Sequence, residues 1–297
     1  MAGLAVIAPG NTRADDASDQ PQADKSRYNL FNPTPEDQLR PLSLDAIDDV
    51  IDPTTVDAGH FQLQGSLVDF SYYTQHYALP PSGMYALESY KKTEEEFEWD
   101  PRVTLGVWNN VDLFVHPYYR LESYKLSEFT YGGSPATPLN GSGNSSRFGD
   151  VNVGTKVNLW GNDGGLTALA VAPYVSIPTD HGLVLAGIDV AFAVRLPHQF
   201  YLKLASNPYP IDNGQHTIYF GIDNSMSLHK TFAGNFDAYA DLDATWESQT
   251  GTSWFGYAGF GVAYLVDRNF EIFAAINFGL NSHAYDYNPR LGVSLRF

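Results

Sequence analysis

The chain has 297 residues, of which 43% are hydrophobic, 14% aromatic and only 17% charged, with a formal net charge of −17 and no cysteine. This balance excludes phosphate-backbone recognition, which needs clustered cations, and removes disulfides, thiol nucleophiles and thiolate metal sites. No apolar run reaches the length of about 18 residues that a membrane-spanning helix needs, whereas a transmembrane barrel asks only for strands of about 9–11 residues, apolar at alternate positions.

The chain opens with "MAGLAVIAPGNTRADDA", an apolar run from Ala2 to Pro9 followed by the small residues Thr12 and Ala14. We read residues 1–14 as the remnant of a secretory signal peptide whose basic start is missing. Residues 15–55 are acidic, contain proline and lack periodicity, which predicts a flexible periplasmic segment. Composition alone leaves open whether that segment also enters the C-terminal domain as a plug.

From residue 56 to 297 period-two segments alternate with turn residues, as in a barrel. "AGHFQLQGSLVDFSYYT" precedes a polar stretch near 75–93, and "FEWDPRVTLGVW" turns at Asn109-Asn110 into "VDLFVHPYYRLESYKL". A second polar stretch, "SEFTYGGSPATPLNGSGNSS", leads to "DVNVGTKVNLW", and "GNDGG" turns into "LTALAVAPYVSI". Seven further segments run to the terminal "YNPRLGVSLRF", giving twelve predicted strands. Odd-numbered connections are mostly longer and even-numbered ones mostly tight. An up-and-down barrel produces that asymmetry, because its two ends receive alternate connections.

The faces sort by parity. Val184, Ala186, Ile188, Val190, Phe192, Val194 and Leu196 share one side of a segment whose other side carries Asp189 and Arg195. A soluble sandwich also alternates, so three further features decide. The polar faces mix small residues with charges of both signs, as a wet lumen does. The apolar faces end in Trp99, Trp108, Trp160, Trp246, Trp254, Tyr264 and Tyr287, as an interfacial girdle does. The chain also ends inside a strand, and pairing that strand with the first removes the edge that lipid forbids. Phe297 is then the last lipid-facing residue of the closing strand and a C-terminal signal for the barrel-assembly machinery.

"TVDAGHFQLQG", "NNVDLFVHPY", "FGDVNVGTKVNLWGNDGGLTALAVAPYVSIPT" and the "LGVSLRF" ending together resemble the outer-membrane family of MetA-pathway phenol-degradation proteins, often called transporters. The resemblance covers about residues 45–297. It implies an outer-membrane barrel that passes small, often aromatic, compounds. Members of that family often carry an Arg-Pro pair before the first strand, where this chain has Ala46-Ile47.

Inward parity nominates the lumen-lining and solute-binding candidates His60, Gln62, Arg102, His116, Arg120, Glu122, Lys156, Asp189, Arg195, Tyr201, Lys203, Tyr219, Asp223, Asp237, Tyr239, Asp241, Asp243, Glu271, Arg290 and Arg296. Water or an opposite charge satisfies such groups inside a barrel. The charges read either as a selective path or as structural ion pairs stiffening a plugged ring. The tyrosines read either as a stacking surface or as ordinary strand residues. The eight histidines are dispersed without metal-ligand spacing. Ser225, Ser227 and His229 share no catalytic spacing, and "FGYAGFG" opens no helix and so is no phosphate loop.

The sequence therefore predicts an all-β chain folded as a transmembrane antiparallel up-and-down barrel of twelve strands in the bacterial outer membrane. The expected function is passive passage of small apolar or aromatic solutes, without enzymatic activity, cofactor or metal. Its expected partners are outer-membrane lipid, the assembly machinery and the solute, with no nucleic acid. The alternative is a non-conducting structural or surface-binding barrel.

Overall fold

A computed structural model describes residues 25–42, 48, 50–78, 89–131, 134–135, 141–212, 217–232, 235–249 and 254–297. The expectations for residues 1–14 and 15–24 lie outside them. The described chain forms one closed ring of twelve antiparallel strands. In chain order these are β1 (Phe61–Ala78), β2 (Ser89–Trp99 with Arg102–Trp108), β3 (Val111–His116 with Tyr119–Tyr131) and β4 (Gly141–Phe148 with Val151–Trp160). There follow β5 (Thr167–Ile177), β6 (Leu185–Leu196), β7 (Phe200–Asp212), β8 (Ile218–Phe232), β9 (Phe236–Glu247), β10 (Phe255–Asp267), β11 (Phe270–Gly279) and β12 (Tyr287–Arg296).

Each strand pairs with its chain neighbour, and β12 closes on β1 from Gln62↔Arg296 to Tyr72↔Tyr287. The terminal residue completes the seam. Phe61 N–H donates to the Phe297 carbonyl at 3.0 Å, and Phe297 N–H donates back at 2.8 Å. Closure satisfies backbone groups that hydrocarbon would otherwise strand.

The outward faces carry the apolar residues. Phe61, Leu113, Val175, Leu228, Leu242, Phe260, Ile272 and Leu291 are all exposed, while the inward Gln62, Lys156, Lys203, Asp241, Glu271 and Ser294 are buried. Aromatic rings mark both ends of this outer band. Trp108, Trp160 and Tyr264 lie toward the short-turn end, and Trp246, Trp254 and Tyr287 toward the long-loop end, all exposed. An apolar exterior around a polar interior inverts a soluble protein and fits a ring standing in lipid.

Several strands are longer than their sequence pattern indicates. The described residues at both ends of the polar stretch near 75–93 are ladder, with Phe70↔Phe97 continuing to Ala78↔Ser89. "SEFTYGGSPATPLNGSGNSS" likewise contributes to β3 and β4, which pair from Tyr119↔Phe148 to Leu126↔Gly141. These extensions show no apolar alternation because they pass beyond the band, where both faces can be polar: Glu95, Ser123 and Lys125 point outward there and are exposed. The extensions of β2, β3 and β4 start at breaks on one level, Asp100-Pro101, Pro117-Tyr118 and Gly149-Asp150. A proline, which has no N–H to donate to the ladder, sits at two of them.

"FGYAGFG" packs the interior. A Cβ on Gly261 would stand 2.4 Å from the Tyr239 ring, so the absent side chain is what allows that ring to lie against the wall.

Replacing the outward-facing Leu291, at the middle of β12, with arginine should cost about 2–4 kcal/mol of folding free energy in lipid vesicles. Chemical unfolding would measure it, and a loss within error of zero would mean that this face does not meet lipid.

Candidate functional site

The interior divides into two halves. The half nearest the short turns is filled by the segment before β1, which runs against the inner wall. Leu30 N–H donates to the Val107 carbonyl at 2.8 Å and Gly59 N–H to that of Gly106 at 2.8 Å. At Gly106 the approach is closest, because a Cβ there would meet the Asp57 carbonyl oxygen at 2.2 Å.

Two ionic centres hold this segment. In the deeper one, Asp48 and Lys203 have fully buried side chains with Nζ and Oδ1 2.5 Å apart, and Lys203 also donates to the Val50 carbonyl at 3.0 Å. His229 Nε2 lies 2.7 Å from the other Asp48 oxygen, and its Nδ1 lies 3.4 Å from Asp237. Burial acts to raise the Asp48 carboxyl, but Lys203 and His229 outweigh it and hold it well below the ordinary carboxylate range. In the outer centre, the fully buried Asp57 carboxylate accepts the Arg40 backbone N–H at 2.7 Å. It also stands 3.3 Å from Arg40 Nε, 3.5 Å from Lys25 and 3.5 Å from Arg296.

Wall side chains satisfy the backbone between these centres. Lys156 donates to the Asp52 carbonyl at 3.1 Å, Asn158 to that of Pro53 at 2.8 Å, and Arg296 to that of Arg40 at 2.7 Å. The segment is thus bound mainly by polar groups. A polar lumen offers little apolar surface to dock against.

The half nearest the long loops encloses a cavity of about 520 Å³ whose floor includes Asp48 and Ile51. A second cavity of about 370 Å³ shares Asn152 and Tyr174 with it and reaches residues 178–187. Rings of Phe114, Tyr174, Phe255, Tyr257 and Tyr285 line the larger cavity among carboxylates. Arg102 lies over the Phe114 ring at 3.9 Å.

The structure places the sequence candidates in several settings. Arg102, His116, Asp189, Asp223, Asp243 and Arg290 line the larger cavity. Lys156, Lys203 and Arg296 hold the segment through the contacts just described. Tyr239 stacks on His229 at 5.1 Å, and Tyr201 approaches the same imidazole at 6.4 Å. Gln62 donates to Ser294 at 2.8 Å across the seam, and Asp237 accepts from Thr231 at 3.1 Å. Asp241 and Glu271 are buried in the wall. Arg120 binds Glu96 at 2.6 Å and Glu98 at 2.8 Å on the β2–β3 extension, which also carries Glu122. His60 sits at the short-turn rim, 2.8 Å from the Thr34 carbonyl. Tyr219 is near the opposite end of β8, and Arg195 is exposed where β6 reaches its short turn. Phe297 stands on the outer face, 70% exposed.

Sequence reading did not find Arg40, Asp48 or Asp57: Arg40 and Asp48 sit in an aperiodic segment, and the partners of Asp48 lie more than a hundred positions away. Arg40-Pro41 is also an Arg-Pro pair before the first strand, six residues upstream of Ala46-Ile47. Glu94 and Glu96 border a stretch that reads as loop, and Glu98 lies on the predicted strand "FEWDPRVTLGVW" without being nominated. Phe114 shares the parity of Asp112 and His116 and was open to the same argument that nominated His116.

No family model matches the chain, and no curated protein does. Among solved structures it is similar to an outer membrane channel from Pseudomonas putida F1, at 12% identity and a TM-score of 0.47 over 89% of this chain and 99% of that one. It is also similar to the CymD monoaromatic hydrocarbon channel, at 8% identity and a TM-score of 0.44 over 80% and 87%. The Ralstonia pickettii toluene transporter TbuX gives 9% identity and a TM-score of 0.44 over 80% and 89%.

Lys203→Met leaves Asp48 buried beside His229 alone, and breaking a buried pair on one side costs about 3–5 kcal/mol. The variant should keep its barrel, seen as heat-modifiable gel mobility, while residues 25–58 become cleavable by protease. Because the Asp48 carboxyl is depressed in the folded state, its contribution is present above about pH 4 and is lost only below it. Wild-type protein should therefore still resist the same protease at pH 5.

Proposed function

We propose that this chain is a bacterial outer-membrane channel for small solutes with an aromatic body, entered from the long-loop side and closed at rest by its N-terminal segment. The observation that carries this reading is the cavity of about 520 Å³ inside a lipid-facing ring, lined by aromatic rings and ending on Asp48 and Ile51. Binding cavities of roughly 300–1,000 Å³ accept small organic molecules, and those rings give a planar solute faces to stack on. Short turns face the periplasm in barrels of this kind, which puts the segment on the periplasmic side. Phe297 and the β12 seam would then serve the assembly machinery.

The chemistry assigned to the lumen is binding and passage. Arg102, His116, Asp189, Asp223, Asp243, Arg290 and the cavity rings would contact the solute. Lys156, Lys203, His229 and Arg296 would hold the gate.

A non-conducting barrel is the second reading, favoured by the extent to which the described residues before β1 fill the short-turn half. Planar-bilayer recording separates the two. Wild-type protein should show a small or intermittent current, and a chain lacking residues 25–56 a steady ohmic current several-fold larger. A folded truncated chain that passes no current would establish the structural reading.

A further inference from the structure

We propose that the long-loop half of the lumen binds ammonium-bearing aromatic solutes, an inference that rests on the channel reading and narrows its solute class.

The first observation is the charge of the wall. Asp69, Glu98, Asp100, Asp189, Asp223 and Asp243 line the larger cavity, against two guanidinium groups, Arg102 and Arg290. The Arg102 guanidinium lies over the Phe114 ring at 3.9 Å. Carboxyl groups outnumber guanidinium groups on this wall, so a cation meets a field of the favourable sign.

The second observation is independent and lies beyond the cavity on the β2–β3 extension. Glu94, Glu96, Glu98 and Glu122 gather there around Arg120, which binds Glu96 and Glu98, and Lys92, which binds one oxygen of Glu94. Glu94 points inward and is only 3% exposed. Its other oxygen, Oε2, meets no basic donor among the described residues, and burial together with the neighbouring Glu122 carboxyl pushes the Glu94 pKa up to about 7. A buried carboxylate oxygen left without a basic donor is expensive, and an ammonium group supplies three donors with the charge that offsets it.

The third observation joins the two. Tyr285, in the loop between β11 and β12, lines the larger cavity together with Glu98. It stacks on Tyr257 at 5.7 Å and meets the edge of Tyr73 at 5.6 Å. Rings beside carboxylates hold an organic cation twice over, through the charge on its ammonium and through the ring faces. A neutral hydrocarbon would use only the second contact.

The test compares three ligands that share one ring: benzylamine, benzyl alcohol and benzoate. Each is titrated calorimetrically into the full chain refolded in detergent. Benzylamine should bind about tenfold more tightly than benzyl alcohol, and benzoate should give no measurable heat of binding. Tyr285→Leu should weaken benzylamine several-fold with gel mobility unchanged, and Asp223→Asn with Asp243→Asn should reduce the preference over benzyl alcohol. Equal binding of benzylamine and benzyl alcohol, or tighter binding of benzoate, would overturn the proposal with wild-type protein alone. Calorimetry does not depend on conduction, so amine binding without current in bilayers would refute the channel and leave the site standing. Current without amine preference would do the reverse.

Discussion

Lys156 and Lys203 point into a ring of twelve strands and are completely removed from solvent. An isolated ammonium in that position is untenable, because desolvation alone would cost several kcal/mol. Both find their acceptors on the segment before β1: Asp48 and the Val50 carbonyl for Lys203, and the Asp52 carbonyl for Lys156. The wall and the segment therefore complete each other's electrostatics. The rest of the interior follows from that requirement. One half is filled by a strap bound through ion pairs and wall-to-backbone hydrogen bonds, and the other is left as a cavity above it.

The ring explains why such an interior is allowed. Lipid on the outside demands apolar outward faces and a closed ladder, and these use every second residue of each strand. The inward positions are released from both demands, so charge collects there. Twelve strands fall between small rings filled by side chains and the water-filled barrels of about 16–18 strands. At this width a single strap of chain is enough to occupy one half of the lumen. Acidic residues are abundant on both strap and wall, which leaves the long-loop half with more carboxylates than cations.

The ring was legible in the sequence for the same reason that it is stable. Period two is written directly into "LAGIDVAFAVRL" and "FEIFAAINFG", and Phe297 ends the last strand in phase. The alternation of tight and long connections supplied the topology. Strand ends were legible only where lipid imposes the pattern. Beyond Tyr72 and Tyr287 both faces are polar, and β1 to β4 continue without a signature. Parity placed Lys203, Asp223 and Asp243 on the inner wall but gave nothing about what opposes them. Asp48 was legible only as part of an acidic, aperiodic stretch, since an ion pair that spans the chain leaves no local trace. Glu94 and Tyr285 fail in the same way, one at the edge of a stretch that reads as loop and the other on a true loop.

The central claim is that the segment before β1 lies inside the ring against the short-turn wall. It is tested most directly by joining the two covalently. Thr55 and Asn162 exchange hydrogen bonds of 3.0 and 2.8 Å, and the chain has no cysteine of its own, so Thr55→Cys with Asn162→Cys introduces a single reporter pair. In protein inserted into native outer membranes, mild oxidation should link the pair nearly completely, read as a gel shift that reductant reverses. Folded, heat-modifiable protein in which the two cysteines stay reduced and alkylate freely would contradict the account.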